Sequence, residues 1–350
     1  MYGRLLRGVV VGMNVGVEVT KRCNFRCRHC FVSAGRPRSD EADTAELIAF
    51  IRALARQGTD AIGWSGGEPL LRQDLEELTA YCTDIGVETG LASNGFLATR
   101  QRLTALASAG LRVVQVSIDG TTPQLAERYR RGPRAAFARA TQAIETSAAL
   151  GMRSYVCTLF APETATEIEA MIEFSKRLGA HGIRYTMWAP VGRASGGQYD
   201  ERAWAAPSVR HFLDVASRFP DQHGFQVLID CPTGPLPGAT GFRCGAGVAT
   251  AYVTADGDVY PCTALMFDAY KVGNLRQRPA AEIFGDEQMT KVLRQIKYCR
   301  PRGLCSGCAL LQSCQGGCPG RTMAAFGCVR GGPQQGALPA CMYRLHNEAH

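Results

Sequence analysis

The residues best equipped for chemistry gather early, in KRCNFRCRHCF at residues 21–31. Cys23, Cys27 and Cys30 follow the spacing Cys-x3-Cys-x2-Cys, and no further cysteine occurs before Cys82. A closed zinc or iron–sulfur site takes four protein ligands. Three thiols therefore point to a metal centre with one open position, and an open position is where a metal does chemistry. A cubane of four irons and four sulfides, held by three thiolates, would leave one iron free to chelate an amine and a carboxylate.

Gly66-Gly67-Glu68-Pro69 suits such a ligand. Two glycines let backbone come close, and Glu68 offers acceptors to an ammonium. Taken alone, the same four residues also read as a plain turn.

The chain has fifteen cysteines, nine of them from Cys244 to Cys341. No secretory signal precedes the first motif, and no apolar run is long enough to span a bilayer. A cytoplasmic protein keeps its thiols reduced, and the count is odd, so metal explains the cysteines better than disulfides do. Hydrophobic content of 46% and charged content of 20% suit a chain that buries a full core. The net charge of +8 is spread without a Lys/Arg block. It suits a solvated basic surface or an acidic partner. No nucleic-acid-binding motif is present.

These residues need a frame. Short apolar runs at 15–20, 61–65, 87–93, 113–119, 154–160 and 183–188 read as buried strands. Helical patterns lie between them, several ending in Gly. Six strand–helix units predict a parallel sheet with right-handed crossovers. Six are too few for an eight-fold barrel, so the expected fold is α/β, a partial (β/α)6 barrel. The three cysteines, SGGEP, SNG (93–95), SIDG (117–120) and APVGR (189–193) each follow a strand. That is the edge where parallel α/β folds place their sites. The expected organisation is a barrel over 1–195, a bridge over 196–243 with a helix near 207–218, and a small cysteine-rich α+β module over 244–350. In that module AYVTADGDVYPC reads as a hairpin turning at Asp256–Gly257, and PAAEIFGDEQMTKVLRQI as one helix. Its apolar core looks thin, so metal is expected to hold it.

The first half resembles the radical S-adenosylmethionine (SAM) superfamily over about residues 14–190. The resemblance rests on Cys-x3-Cys-x2-Cys after strand one, with the aromatic His29 before the last cysteine, and on Gly66-Gly67-Glu68 after strand two. It implies a [4Fe-4S] cluster on Cys23, Cys27 and Cys30 with SAM on the open iron. Reductive cleavage would yield a 5′-deoxyadenosyl radical that takes hydrogen from a C–H bond. It also implies cofactor contacts at Ser93, Asn94, Ser117 and, more weakly, Arg131. Plain turn capping is the alternative at each.

The second half resembles the SPASM domain. The pattern is Cys244-x12-Gly257-x4-Cys262, then Cys305-x2-Cys308-x5-Cys314-x3-Cys318, then Cys341. This implies two auxiliary [4Fe-4S] clusters, three in all. Cys244, Cys262 and Cys318 would hold the first; Cys305, Cys308, Cys314 and Cys341 the second. The eighth place falls to Cys231, to Cys299 or to an open site. Cys157 on strand five is either a hydrogen donor to a substrate radical or a small core residue.

Relatives of this kind most often mature ribosomally made peptides; a minority are dehydrogenases or epimerases of aminoglycoside sugars. The basic charge favours an acidic peptide. The few residues before strand one leave no room for a fused peptide-recognition domain, which counts against a self-contained peptide maturase, though a separate recognition protein could serve. A flavodoxin or ferredoxin is the expected electron donor. The reading from another class is a non-catalytic iron–sulfur carrier or a zinc-held scaffold.

Overall fold

The computed structural model describes residues 13–161, 164–188, 191–195, 207–217, 224–230, 244–285, 287–297, 306–309, 311, 317–327 and 329. Strand β1 (Met13–Thr20) sets the pattern. Val15, Val17 and Val19 are fully buried against the helices, so Asn14, Gly16 and Glu18 alternate onto the other face. Strands β2 (Thr59–Gly66), β3 (Glu88–Ser93), β4 (Leu111–Ser117), β5 (Arg153–Phe160) and β6 (Gly182–Met187) follow in parallel, each beside the one before. Helices α1 (Thr44–Ala55), α2 (Leu75–Asp84), α3 (Arg100–Ser108), α4 (Pro123–Arg130), α5 (Ala136–Ala149) and α6 (Ile168–Arg177) cover the outer face.

The helices begin where the sequence caps them. Asp43 and Glu46 form a capping box at α1, whose Leu47, Phe50, Ile51 and Leu54 make one buried stripe. Thr99 caps α3, and Thr122 with Pro123 starts α4. In the core, Trp64 is fully buried and its indole N–H donates to Thr79 Oγ1 at 3.1 Å. This satisfies the one polar atom that burying a tryptophan puts at risk.

The arc does not close. Strand β7 (Gln226–Asp230) adds in parallel beside β6. Strand β8 (Thr250–Val253) adds in parallel beside β1. A hairpin leads from β8 into β9 (Asp258–Tyr260), and β10 (Gly273–Asn274) ends the sheet. The ten strands run β10-β9-β8-β1-β2-β3-β4-β5-β6-β7. Two features here go beyond the sequence reading. The 196–243 stretch carries a strand as well as helix α7 (Pro207–Ser217). The cysteine-rich module shares a sheet with the barrel, because β8 satisfies the free edge of β1. The hairpin turns at Gly257 with φ +88°, as its sequence anticipates. The stretch read as one helix is two, α8 (Ala280–Gly285) and α9 (Glu287–Lys297); Gly285, a poor helix former, closes the first. Helix α10 (Pro319–Phe326) follows Cys318. Among the described residues, no helix is long and apolar enough to cross a membrane.

Candidate functional site

The loop after β1 is tied down at both ends. Arg22 bridges to Gly35. Cys23 N–H donates to the Gly35 carbonyl at 3.1 Å, and Gly35 N–H to that of Lys21 at 2.8 Å. Its middle leans on the end of α4: Arg28 N–H donates to the Tyr129 carbonyl at 2.8 Å, and Arg26 N–H to that of Arg131 at 3.3 Å. Two backbone N–H groups aim at sulfur, Phe25 at Cys23 Sγ (3.4 Å) and Ala34 at Cys30 Sγ (3.3 Å). Such bonds to thiolates are a feature of iron–sulfur sites and tune their potentials.

These thiols line a cavity of about 300 Å³. His29, Gly66, Gly67, Ser93, Asn94, Ser117 and Cys157 line it too. Its further wall comes from Thr263, Ala264 and Arg321 of the cysteine-rich module. Gln115, Thr186 and Trp188, on or just after β4 and β6, line it as well. Cys157 Sγ lies 3.4 Å from Thr186 Oγ1. Among the described residues no three of the His, Cys, Asp or Glu side chains close on one point for a single metal ion. Thiols spread around a cavity suit a larger inorganic core, so the donor set fits a cluster.

Glu68, Pro69 and Arg131 stand outside this lining. Glu68 is fully buried and serves as a clamp between strand ends. Its carboxylate accepts from Leu70 N–H (3.1 Å), Ser93 Oγ (2.8 Å) and Asn94 N–H (2.8 Å). Burial pushes its pKa up to about 7, against the pull of those three donors. The two glycines make room for the protein's own backbone. A Cβ on Gly66 would sit 2.4 Å from the Thr20 carbonyl oxygen, and one on Gly67 2.1 Å from that of Arg22. The closeness lets Gly67 N–H and Glu68 N–H bond those carbonyls at 2.7 and 2.9 Å.

Arg130 and Arg131 are placed differently. Arg131 takes the left-handed cap of α4, φ +45°. Arg130 lines the cavity, its Nε 2.7 Å from Asp119 Oδ2. Asp119 also accepts from Leu159 N–H at 2.7 Å and lies 3.8 Å from His29 Nε2. Burial pushes the His29 imidazole down to about 4, so it is neutral at pH 7. Burial raises the Cys27 thiol, while the charges of Arg130 and Arg193 pull it down. Burial also pushes the Cys23 thiol up to about 11. A bound cation reverses such a trend and deprotonates the thiol. Arg193 comes from the short turn Gly192–Ala194 after β6. Sequence reading placed APVGR on the rim but gave Arg193 no role. The signal was there in a long cation set next to a glycine.

In the module, burial raises the Cys262 thiol, and the nearby charges of Cys318 and Cys244 raise it further. Gly320 of α10 packs on the turn after Cys262, where a Cβ would meet the Ala264 carbonyl oxygen at 2.1 Å. Cys308 is described and half-buried. Cys305, Cys314 and Cys341, like Cys231 and Cys299, lie outside the described residues.

Comparison with known proteins bears on both halves. Residues 17–175 match the family model for the radical SAM superfamily, and residues 244–309 that for SPASM, an iron–sulfur cluster-binding domain. The chain is 29% identical to an AdoMet-dependent heme synthase of Methanosarcina barkeri, over 93% of this chain and 95% of that protein. It is 27% identical to the mycofactocin maturase MftC of Mycobacterium tuberculosis, over 96% and 84%. It is 28% identical to the PqqA peptide cyclase of a Methylobacterium species, over 89% and 82%. Among solved structures, anSMEcpe with bound AdoMet superposes with a TM-score of 0.75 at 16% identity, over 96% of this chain and 92% of that one. Streptococcus suis SuiB bound to its precursor peptide SuiA gives 0.72 at 15% identity, over 92% and 75%. At those identities the likeness is one of fold.

Proposed function

Since this chain belongs to the radical SAM superfamily and carries a SPASM iron–sulfur domain, we propose that it modifies an unactivated C–H bond of a ribosomally made peptide. Cys23, Cys27 and Cys30 would hold the cluster that binds SAM. Together these groups, when bound, supply a 5′-deoxyadenosyl radical.

The chain's own residues hold and screen. Arg130, fixed by Asp119, offers a cation to the cofactor's carboxylate, the role the sequence suggested for Arg131. Ser93, Asn94 and Ser117 offer polar contacts beside it. Phe25, Leu159 and Trp188 help keep water from the reacting carbon. Cys157 stands ready as a hydrogen donor should the outcome be redox-neutral. In the module, Cys244, Cys262 and Cys318 would hold one auxiliary cluster, and Cys305, Cys308, Cys314 and Cys341 another. A flavodoxin or ferredoxin would supply electrons, in the cytoplasm, and a separate protein would present the peptide.

One observation carries this reading: the three-cysteine loop and the cysteine-rich module wall a single cavity. The mycofactocin maturase and the PqqA peptide cyclase support the peptide. The heme synthase relatives favour a second reading, a reaction on a tetrapyrrole.

The test is anaerobic reconstitution, then SAM and dithionite with acidic precursor peptides or with tetrapyrroles. The readout is 5′-deoxyadenosine and substrate mass. Release stimulated by peptides, with a peptide mass change, is expected. Stimulation by tetrapyrroles alone would establish the second reading. Intact, reduced clusters with no release would leave an electron carrier.

A further inference from the structure

The turn after β6 reaches back across the whole barrel to the first loop. Arg193 Nε donates to the Cys27 carbonyl at 2.8 Å, and its Nη1 donates to the Ala34 carbonyl. The Arg193 backbone N–H donates to the Cys30 carbonyl at 3.0 Å. One residue thus fastens the loop at its middle cysteine, at its last cysteine and at its exit. Gly192 makes the contact possible. It has φ +57°, and a Cβ there would lie 2.4 Å from the carbonyl oxygens of both Cys30 and Phe31. Arg193 lines the main cavity, and Gly192 and Ser195 line a neighbouring one of about 290 Å³.

Two physical consequences follow. A planar guanidinium spans two carbonyls at fixed spacing, which an ammonium does not. And the geometry holds a cation against the loop that carries the three thiols. A fixed positive charge favours the more negative, reduced state of a neighbouring redox centre, and charge is among the levers that set iron–sulfur potentials.

We propose that Arg193 is a positioning residue of the three-cysteine site: its fork locks the loop around the cluster, and its charge makes the cluster easier to reduce. The proposal rests on the reading that Cys23, Cys27 and Cys30 hold a cluster, and its test keeps the two apart.

Full-length protein would be reconstituted as wild type, Arg193→Lys and Arg193→Met. The cluster is identified by the part of the reduced electron paramagnetic resonance signal that changes on adding SAM. Its midpoint potential and its rate of iron loss to a chelator are then measured. The lysine variant should keep the wild-type potential but lose this iron several-fold faster. The methionine variant should lose iron at least as fast and shift to a more negative potential. The SAM-insensitive signal should not move in either. Wild-type iron retention and potential in both variants would overturn the proposal. Faster iron loss with an unmoved potential in the methionine variant would overturn its electrostatic half. If the methionine variant fails to fold, iron retention in the lysine variant alone decides the fork. A wild type with no SAM-responsive signal would instead overturn the three-cysteine reading.

Discussion

The two cysteine sites are built in opposite ways. Around Cys23, Cys27 and Cys30 the backbone is held by bonds from Gly35, from the end of α4 and from Arg193. These bonds come from barrel elements with a large apolar core behind them. Cys244, Cys262 and Cys318 arrive instead from three separate segments, and the backbone bonds made by the Cys262 and Cys318 carbonyls are local: Leu265 N–H donates to the Cys262 carbonyl and Thr322 N–H to that of Cys318. The first loop is thus fastened by barrel elements on several sides. If Cys244, Cys262 and Cys318 hold a cluster, as proposed, the second site would depend on the bound metal to offset the charge of its thiolates.

That contrast can be broken by experiment, and the largest effect concerns activity. Cys23→Ala should abolish 5′-deoxyadenosine formation while the protein keeps roughly two-thirds of its iron, the share of two clusters if three are bound as proposed. Retained SAM cleavage would show that the open iron lies elsewhere.

Stripping all iron should separate the regions next. Limited proteolysis of the metal-free protein should cut within 244–350 well before it cuts within 13–161. Equal rates would mean that the module is as self-supporting as the barrel.

Glu68 sharpens the barrel side of the contrast. Its folded pKa of about 7 lies above the ordinary 4.5. Between those values the folded state binds the extra proton, so this group's contribution falls as pH rises from 4.5 to 7 and is level above. The loss is about 3 kcal/mol if the full shift is realised. Denaturant unfolding of Glu68→Gln should lack that slope; an identical slope would assign it to other groups.

The smallest expected effect is Gly67→Ala. A methyl 2.1 Å from the Arg22 carbonyl oxygen must push two backbones apart, for about 1–3 kcal/mol. A lower thermal midpoint checks it, and an unchanged one would mean that the loop yields freely.

Much of this was readable from residue order. Alternating or continuous apolar runs marked β1 to β6, and caps marked the helices, because both signals are local. Strand β7 was not found: QVLID is only five residues, in a stretch bounded by Gly- and Pro-rich segments. Nor was the pairing of β8 with β1, since residues 14 and 250 meet only through the fold. At the site, the cysteines and the rim glycines were legible as types. The glycines' partners were not; they proved to be the carbonyls of Thr20 and Arg22. That Arg130 lines the cavity while Arg131 takes a left-handed cap at the end of α4 is not something two adjacent arginines can signal.

The shared sheet has a consequence for handling the protein. Cutting the chain at 243 to obtain a lone barrel would strip β8 from β1 and uncover a row of unpaired N–H and C=O groups along residues 14–17. An open edge of that kind recruits other strands. The truncated barrel should therefore self-associate, and the auxiliary module serves as the barrel's solubility guard as well as a wall of its cavity.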